Sequence, residues 1–195
     1  MQKMLALFVS EDRREREYLK TVLHRIYGRF MPLRKPIRTA MAHQCLRAIY
    51  SDSPTESTVN GIAEFLEIFC SIIHGFSVPV KQEHKDYLRN VLVPLHKCSE
   101  LKRFHEQMTG CALQFVMKDP SVAPLILGGL LKFWPTQMPK KELLFITEAM
   151  IILNGLINHE HGFIWPKNKD ICMAVIDRFI ECTKSAHQGV AGMLP

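Results

Sequence analysis

The stretch NGIAEFLEIFCSIIHGFSVPVKQEHK, Asn60 to Lys85, decides the fold. Within it Ile62, Phe65, Leu66, Phe69, Ile72, Ile73 and Phe76 recur at spacings of three and four, the period of one face of an α-helix. Asn60 has the side chain of an N-cap, and Gly75 followed by Pro79 ends the helix and turns the chain. A second helix then opens on Lys81 and His84, which share a side. Ile68 falls about 100° from the centre of the apolar stripe, and Ile72 lies one turn further along on its edge. Two readings of Ile68 follow. It packs on a neighbouring helix, as most isoleucines do, or with Ile72, Lys81 and His84 it walls a shallow peptide pocket.

Working outward, the same helical rhythm fills the chain. Met1 to Phe8 reads as the tail of a helix, and Ser10 as the cap of the next, with Glu11 and Asp12 in its first turn. Tyr18, Leu19, Val22, Leu23, Ile26, Tyr27 and Phe30 then form one stripe. After Pro32 and Pro36, a helix carries Ile37, Met41, Cys45, Leu46 and Ile49 inward, and Ser51 to Asn60 is a polar loop. The helix opened by Lys81 runs on through Tyr87, Leu88, Val91, Leu92 and Leu95, with Pro94 predicting a kink or an early end.

Phe104, Met108, Cys111, Ala112 and Phe115 mark another helix, and the nearly all-apolar Val122 to Phe133, with Gly128 and Gly129, predicts a closely packed one. Trp134-Pro135 ends it. Pro139 to Ile157 is a long helix with Leu143, Ile146, Met150, Leu153 and Ile157 at heptad-like spacing. His159 to Lys169 reads as irregular. A last helix, Asp170 to Lys184, buries Ile171, Val175, Phe179 and Cys182, and Gly189, Gly192 and Pro195 fray the tail. No stretch reads as a strand. About eight helices in pairs joined by short turns predict an all-α fold, a single α-solenoid domain of HEAT-like antiparallel pairs over 1–195.

The composition is that of a soluble globular protein: 195 residues, 47% hydrophobic and 23% charged. A net charge of +6 favours acidic partners. The six cysteines (Cys45, Cys70, Cys98, Cys111, Cys172, Cys182) form no C-x-x-C pair and predict reduced core thiols in an intracellular protein, cytoplasmic or nuclear. Neither a signal peptide nor a membrane span is visible. Catalytic and cofactor motifs are absent: there is no G-x-S-x-G, no phosphate-cradling glycine loop and no H-E-x-x-H. His159-Glu160-His161 reads as a polar surface loop, and no metal site is expected. Trp134 and Trp165 read as end-of-helix packing residues, and basic residues scattered among acids argue against nucleic acid. One basic constellation remains. His24 and Arg25 lie off their helix's stripe and Arg34 follows its end, so that they are either a solvated face or, with stacked helix pairs, one wall of a groove for an acidic peptide.

Four segments carry a resemblance. LFVSEDRREREYLKTVLHRIYGRFMPLR (Leu7 to Arg34), NGIAEFLEIFCSIIHGFSVPVKQEHK, VLVPLHK (Val91 to Lys97) and LLKFWP (Leu130 to Pro135) are similar, in order and spacing, to the B-prime (B-fifty-six) regulatory subunits of protein phosphatase 2A. The likeness covers Met4 to Leu156, fades through His159 to Lys184 and returns faintly at His187 to Ala191. It implies a pseudo-HEAT solenoid that is not itself an enzyme and uses no cofactor. It also implies association with the phosphatase scaffold and catalytic subunits, and recognition of client proteins through acidic or phosphorylated L-x-x-I-x-E motifs. On the matching positions, the motif pocket comprises His24, Arg25, Tyr27 and Arg34, then Ile68 and Ile72, then Lys81 and His84. The isoleucines would take the motif's Leu and Ile, and the basic groups its Glu or a phosphate. The resemblance further reads as a member shortened at both ends, with a lengthened Ser51 to Val59 loop. The alternative is an adaptor or decoy that binds motifs without assembling the phosphatase.

Overall fold

The computed structural model describes residues 2–51, 56–159 and 165–184. Among these it forms helices and no strand: α1 (Gln2–Ala6), α2 (Arg13–Arg29), α3 (Arg34–Tyr50), α4 (Ile62–His74), α5 (Gln82–Tyr87), α6 (His105–Lys118), α7 (Ala123–Lys132), α8 (Pro139–Ile157) and α9 (Trp165–Thr183). The short turns between them force alternate helices together. Thus α2, α4, α6 and α8 pack in succession as one layer, and α3, the continuation of α5, α7 and α9 as the other. This is the arrangement expected of stacked helix pairs. A run of rings ties the pairs together. Phe8 meets Phe65 at 4.5 Å, Phe69 stacks on Tyr87 at 4.3 Å, and Phe69 reaches Phe115 at 6.2 Å.

Local chemistry explains the boundaries. Pro94 has no N–H to give the helix ladder, and the chain before it widens into a π-turn at Leu88–Leu92, then tightens into a 3₁₀ segment at Val93–Lys97. A Cβ on Gly129 would fall on Val93, so the close approach of α7 to that segment requires glycine there. Gly128 has ordinary room. Gly61, not Asn60, caps α4: its φ of 81° is left-handed, and a Cβ there would lie 2.6 Å from Phe8 Cβ. Asn60 instead spends its amide on Val9 O at 3.2 Å. In the same way Asp12, whose carboxylate accepts from the Arg14 N–H at 2.8 Å, caps α2. Ser10 Oγ sits two residues earlier, accepting from the Asp12 N–H.

Three apolar stripes differ from the sequence reading. On α2, Leu23 and Tyr27 are buried but Tyr18, Val22 and Phe30 are exposed, because the helix packs chiefly against α4 and the flanking 3₁₀ turns. On α8, Met150 and Ile157 are exposed, while Phe145, Ile146, Ala149, Ile152 and Leu156 are buried. On α9, Cys172, Val175 and Cys182 are buried, with Ile171 and Phe179 packed at the margin. This helix begins at Trp165, ahead of the expected Asp170, and Pro166 suits its first turn. His159 is buried, with Nε2 3.1 Å from Met117 O, so it is not part of a surface loop. Glu160 and His161, residues 52–55 of the expected polar loop and the tail from Ser185 lie outside the described residues. The six thiols are free, five of them buried and Cys70 half-buried.

The stack is also held by a buried charge. Glu148 on α8 is 0% exposed. Its Oε1 lies 3.2 Å from His96 Nε2, its Oε2 lies 3.0 Å from His105 Nε2, and it accepts from Thr109 Oγ1 at 3.4 Å. His96 is oriented in turn by Val93 O at 2.8 Å. Burial alone would raise the carboxyl's pKa. The charge and hydrogen bonds of the two imidazoles outweigh it and hold Glu148 at about 2, below the ordinary 4.5. A nearby buried pair, Trp134 Nε1 to Glu142 Oε1 at 2.8 Å, fastens the α7–α8 turn.

Candidate functional site

The layer of α2 and α4 leaves a seam at its C-terminal end, and the side chains of interest gather there. α2 delivers His24, Arg25 and Tyr27 from about one turn near its end. The short 3₁₀ turn at Met31–Leu33 then brings the chain back so that Arg34 lies under the helix end. Arg34 donates from Nε to Tyr27 O at 3.1 Å and from Nη2 to Gly28 O at 3.3 Å, which satisfies terminal carbonyls of α2. Its guanidinium stands 5.4 Å from the Tyr27 ring centroid. Arg34 is therefore held in place before any ligand arrives.

From α4 come Ile68 and Ile72. Both are buried, at 2% and 8% exposure, so Ile68 packs in the core, and only an edge of each reaches the seam. The turn after α4 carries Phe76, whose ring lies parallel to His84 at 3.7 Å and fixes the imidazole plane. His84 is buried, which lowers its pKa; Glu83 raises it, while Arg38 and Lys81 lower it further. The net shift favours the neutral ring, and a carboxylate placed beside it would oppose that shift.

These groups line two adjoining cavities. One, of about 450 Å³, takes in His24, Tyr27, Arg34, Ile72, Lys81 and His84. The other, of about 320 Å³, takes in Arg25 and Ile68 with Lys20 and Glu67. His24 and Ser71 belong to both, so all eight side chains singled out in the sequence line these two neighbouring cavities. Its cations differ in freedom. Lys20 is tied to Glu17 and Glu67, whereas among the described residues Arg25 and Lys81 have no carboxylate partner.

Among the groove residues that sequence reasoning missed, Arg38 and Glu83 bear most on its charge. Arg38 donates from Nη1 to the Tyr27 hydroxyl at 2.9 Å and from Nη2 to Glu83 Oε2 at 3.2 Å. Glu83 also lies 3.7 Å from His84 Nε2. Arg38 stands one helical turn beyond Arg34, a spacing that puts both on one face and was readable. Glu83 brings a negative charge into an otherwise basic wall, and its contact with Arg38 crosses 45 residues, which no local pattern signals. Among the described residues no cluster of three or more His, Cys, Asp or Glu side chains could hold a metal ion, and no helix is long and apolar enough to cross a membrane.

The molecule is an all-α stack of helix pairs that carries a basic, isoleucine-edged groove where α2, α3, α4 and the start of α5 meet. Residues 1–193 match the family model described as the protein phosphatase 2A regulatory B subunit (B56 family). The chain belongs to this family, and the match runs past Leu156, beyond the four similar segments. It is 44% identical over 190 residues to the 55 kDa B′ delta regulatory isoform of phosphatase 2A from Arabidopsis thaliana, covering 97% of this chain and 37% of that protein. It is 43% identical over 191 residues to the 56 kDa regulatory subunit alpha isoform of Homo sapiens, covering 98% and 37%. With the delta 2 isoform of Schizosaccharomyces pombe it shares 51% over 154 residues, 79% of this chain and 24% of the relative. The chain thus spans about a third or less of the length of these relatives, each of which is named a regulatory subunit rather than a catalytic one.

Proposed function

We propose that this chain binds short linear motifs of the L-x-x-I-x-E type in the α2–α4 groove and, in company with the phosphatase scaffold and catalytic subunits, directs phosphatase 2A to the proteins that carry them. The observation that carries this reading is that eight side chains, from four separate helical segments, line two adjoining cavities, each of which sets an isoleucine beside cationic groups. Ile68 and Ile72 offer apolar edges for the motif's Leu and Ile. Lys81, His84, Arg38 and Arg34 surround the space where a Glu, or a phosphate in its place, is desolvated and held. A peptide interface this small gains from such charge-assisted contacts, since ordering the peptide opposes binding. Titration of a fluorescent L-x-x-I-x-E peptide is expected to saturate with a Kd on the order of micromolar. Alanine in place of its Glu should weaken binding at least tenfold. Equal affinity for both peptides would sink the assignment. Co-precipitation of the phosphatase catalytic subunit with the chain separates a targeting subunit from a motif-binding adaptor.

Glu83 should act against this binding. Its carboxylate occupies part of the charge of Arg38 and His84 and repels an incoming anion. The side chain is half-exposed, so the expected gain from Glu83→Gln is about threefold in affinity for the Glu-bearing peptide, shrinking as salt rises. The peptide titration at two salt concentrations checks it. Unchanged or weaker binding would mean that Glu83 mainly positions Arg38.

A further inference from the structure

A further cavity, of about 460 Å³, opens between the 3₁₀ turn Leu101–Arg103 and the first turn of α8, well apart in sequence from every element of the groove. Its floor is apolar. Leu101 is 1% exposed, Met138 is half-exposed and Leu144 is partly buried. Its rim is made by Lys102, Lys140 and Lys141. Lys102 and Lys140 are exposed and, among the described residues, have no carboxylate partner. Lys141 is half-buried and donates from Nζ to Cys98 O at 2.9 Å. No Asp or Glu lines this cavity, whereas each cavity of the α2–α4 groove carries one.

We infer that this cleft is a docking site for an acidic peptide segment with one aliphatic or aromatic anchor, supplied by a protein partner. Charge complementarity argues for the acid. Three lysines line one opening that no Asp or Glu lines, and the half-buried Lys141 ammonium donates to a neutral carbonyl, Cys98 O, so a carboxylate there would make a charge-assisted bond in its place. Leu101, Met138 and Leu144 argue for the anchor, since an apolar floor ringed by charge is the anatomy of an interface hot spot and its rim. The cavity has no aromatic lining on which a nucleic-acid base could stack. Met138 is its one strongly exposed apolar side chain, too little surface for a lipid layer.

The test uses two labelled peptides, one with four aspartates around a leucine and one with serines in their place. They are titrated against the parent chain, a Lys102→Glu/Lys140→Glu variant, a Met138→Asp variant and Lys81→Glu, which alters only the other groove. All these positions are exposed, and thermal unfolding confirms that each variant folds. The aspartate peptide is expected to bind saturably. Its affinity should fall at least tenfold with either cleft variant and change less than twofold with Lys81→Glu. Several results overturn the inference: no saturable binding, equal binding of the serine peptide, cleft variants within twofold of the parent, or loss with Lys81→Glu alone. Retention by phosphatidylserine vesicles without binding of the peptide also overturns it, in favour of a membrane surface.

Discussion

Replacing Glu148 by alanine should destabilise the chain by about 3–5 kcal/mol, because it leaves two imidazoles, His96 and His105, buried beside each other with no anion. The network joins the α5 continuation, α6 and α8, so both layers of the stack lose an anchor at once. Glu148→Gln keeps the shape and part of the hydrogen bonding and should cost less than the alanine variant. Urea unfolding of the three proteins checks the order. A loss below about 1 kcal/mol for Glu148→Ala would show that the pair's desolvation cancels its attraction. The same group sets an acid limit. Its carboxyl sits at about 2 in the folded chain against an ordinary 4.5. Its contribution is therefore complete above pH about 4.5 and disappears as pH falls toward 2. Unfolding midpoints recorded between pH 6 and 3 should decline faster for the parent than for Glu148→Gln, whose side chain does not titrate.

Lys81→Glu should weaken binding of the Glu-bearing peptide by about a hundredfold, since it removes an unpaired cation from the groove wall and sets a carboxylate beside Glu83 and the incoming acid. Lys81 is exposed and caps α5 through its backbone, so folding should be unaffected. The alanine-for-glutamate version of the peptide serves as the control and should lose much less. If both peptides lost affinity equally, the substitution would be acting on the groove's shape rather than on its charge.

Much of the fold is legible in the residues themselves. The stripe of α4 is dense and its stop signals are strong, so Ile62 to His74 follows from the helical period. Pro94 and Gly129 act through steric rules that hold in any context. The groove residues were found through a resemblance, and the wheel alone left Ile68 open. The structure packs it in the core and still leaves an edge on the groove. What escaped was non-local. α8 is apolar on most sides, so a heptad could be drawn through Met150 and Ile157 although the buried face holds Glu142, Phe145, Ala149 and Ile152. A buried glutamate looks like a surface one until its partners are known, and His96 is 52 residues from Glu148. Asn60 and Ser10 have the right chemistry for caps, but each is one or two residues early because the backbone entry is set by contacts with Phe8 and by Asp12.

The central claim, that an acidic motif lies along the α2–α4 seam, is tested most directly by photo-crosslinking. A benzophenone is placed at the Ile position of an L-x-x-I-x-E peptide, and the attachment sites are mapped by mass spectrometry after digestion. Crosslinks to 20–28 of α2 and 67–84 of α4 and the turn beyond it, lost when the motif's Glu is alanine, are the predicted result. Crosslinks confined to other surfaces, such as the lysine-rimmed cleft at the start of α8, would contradict it.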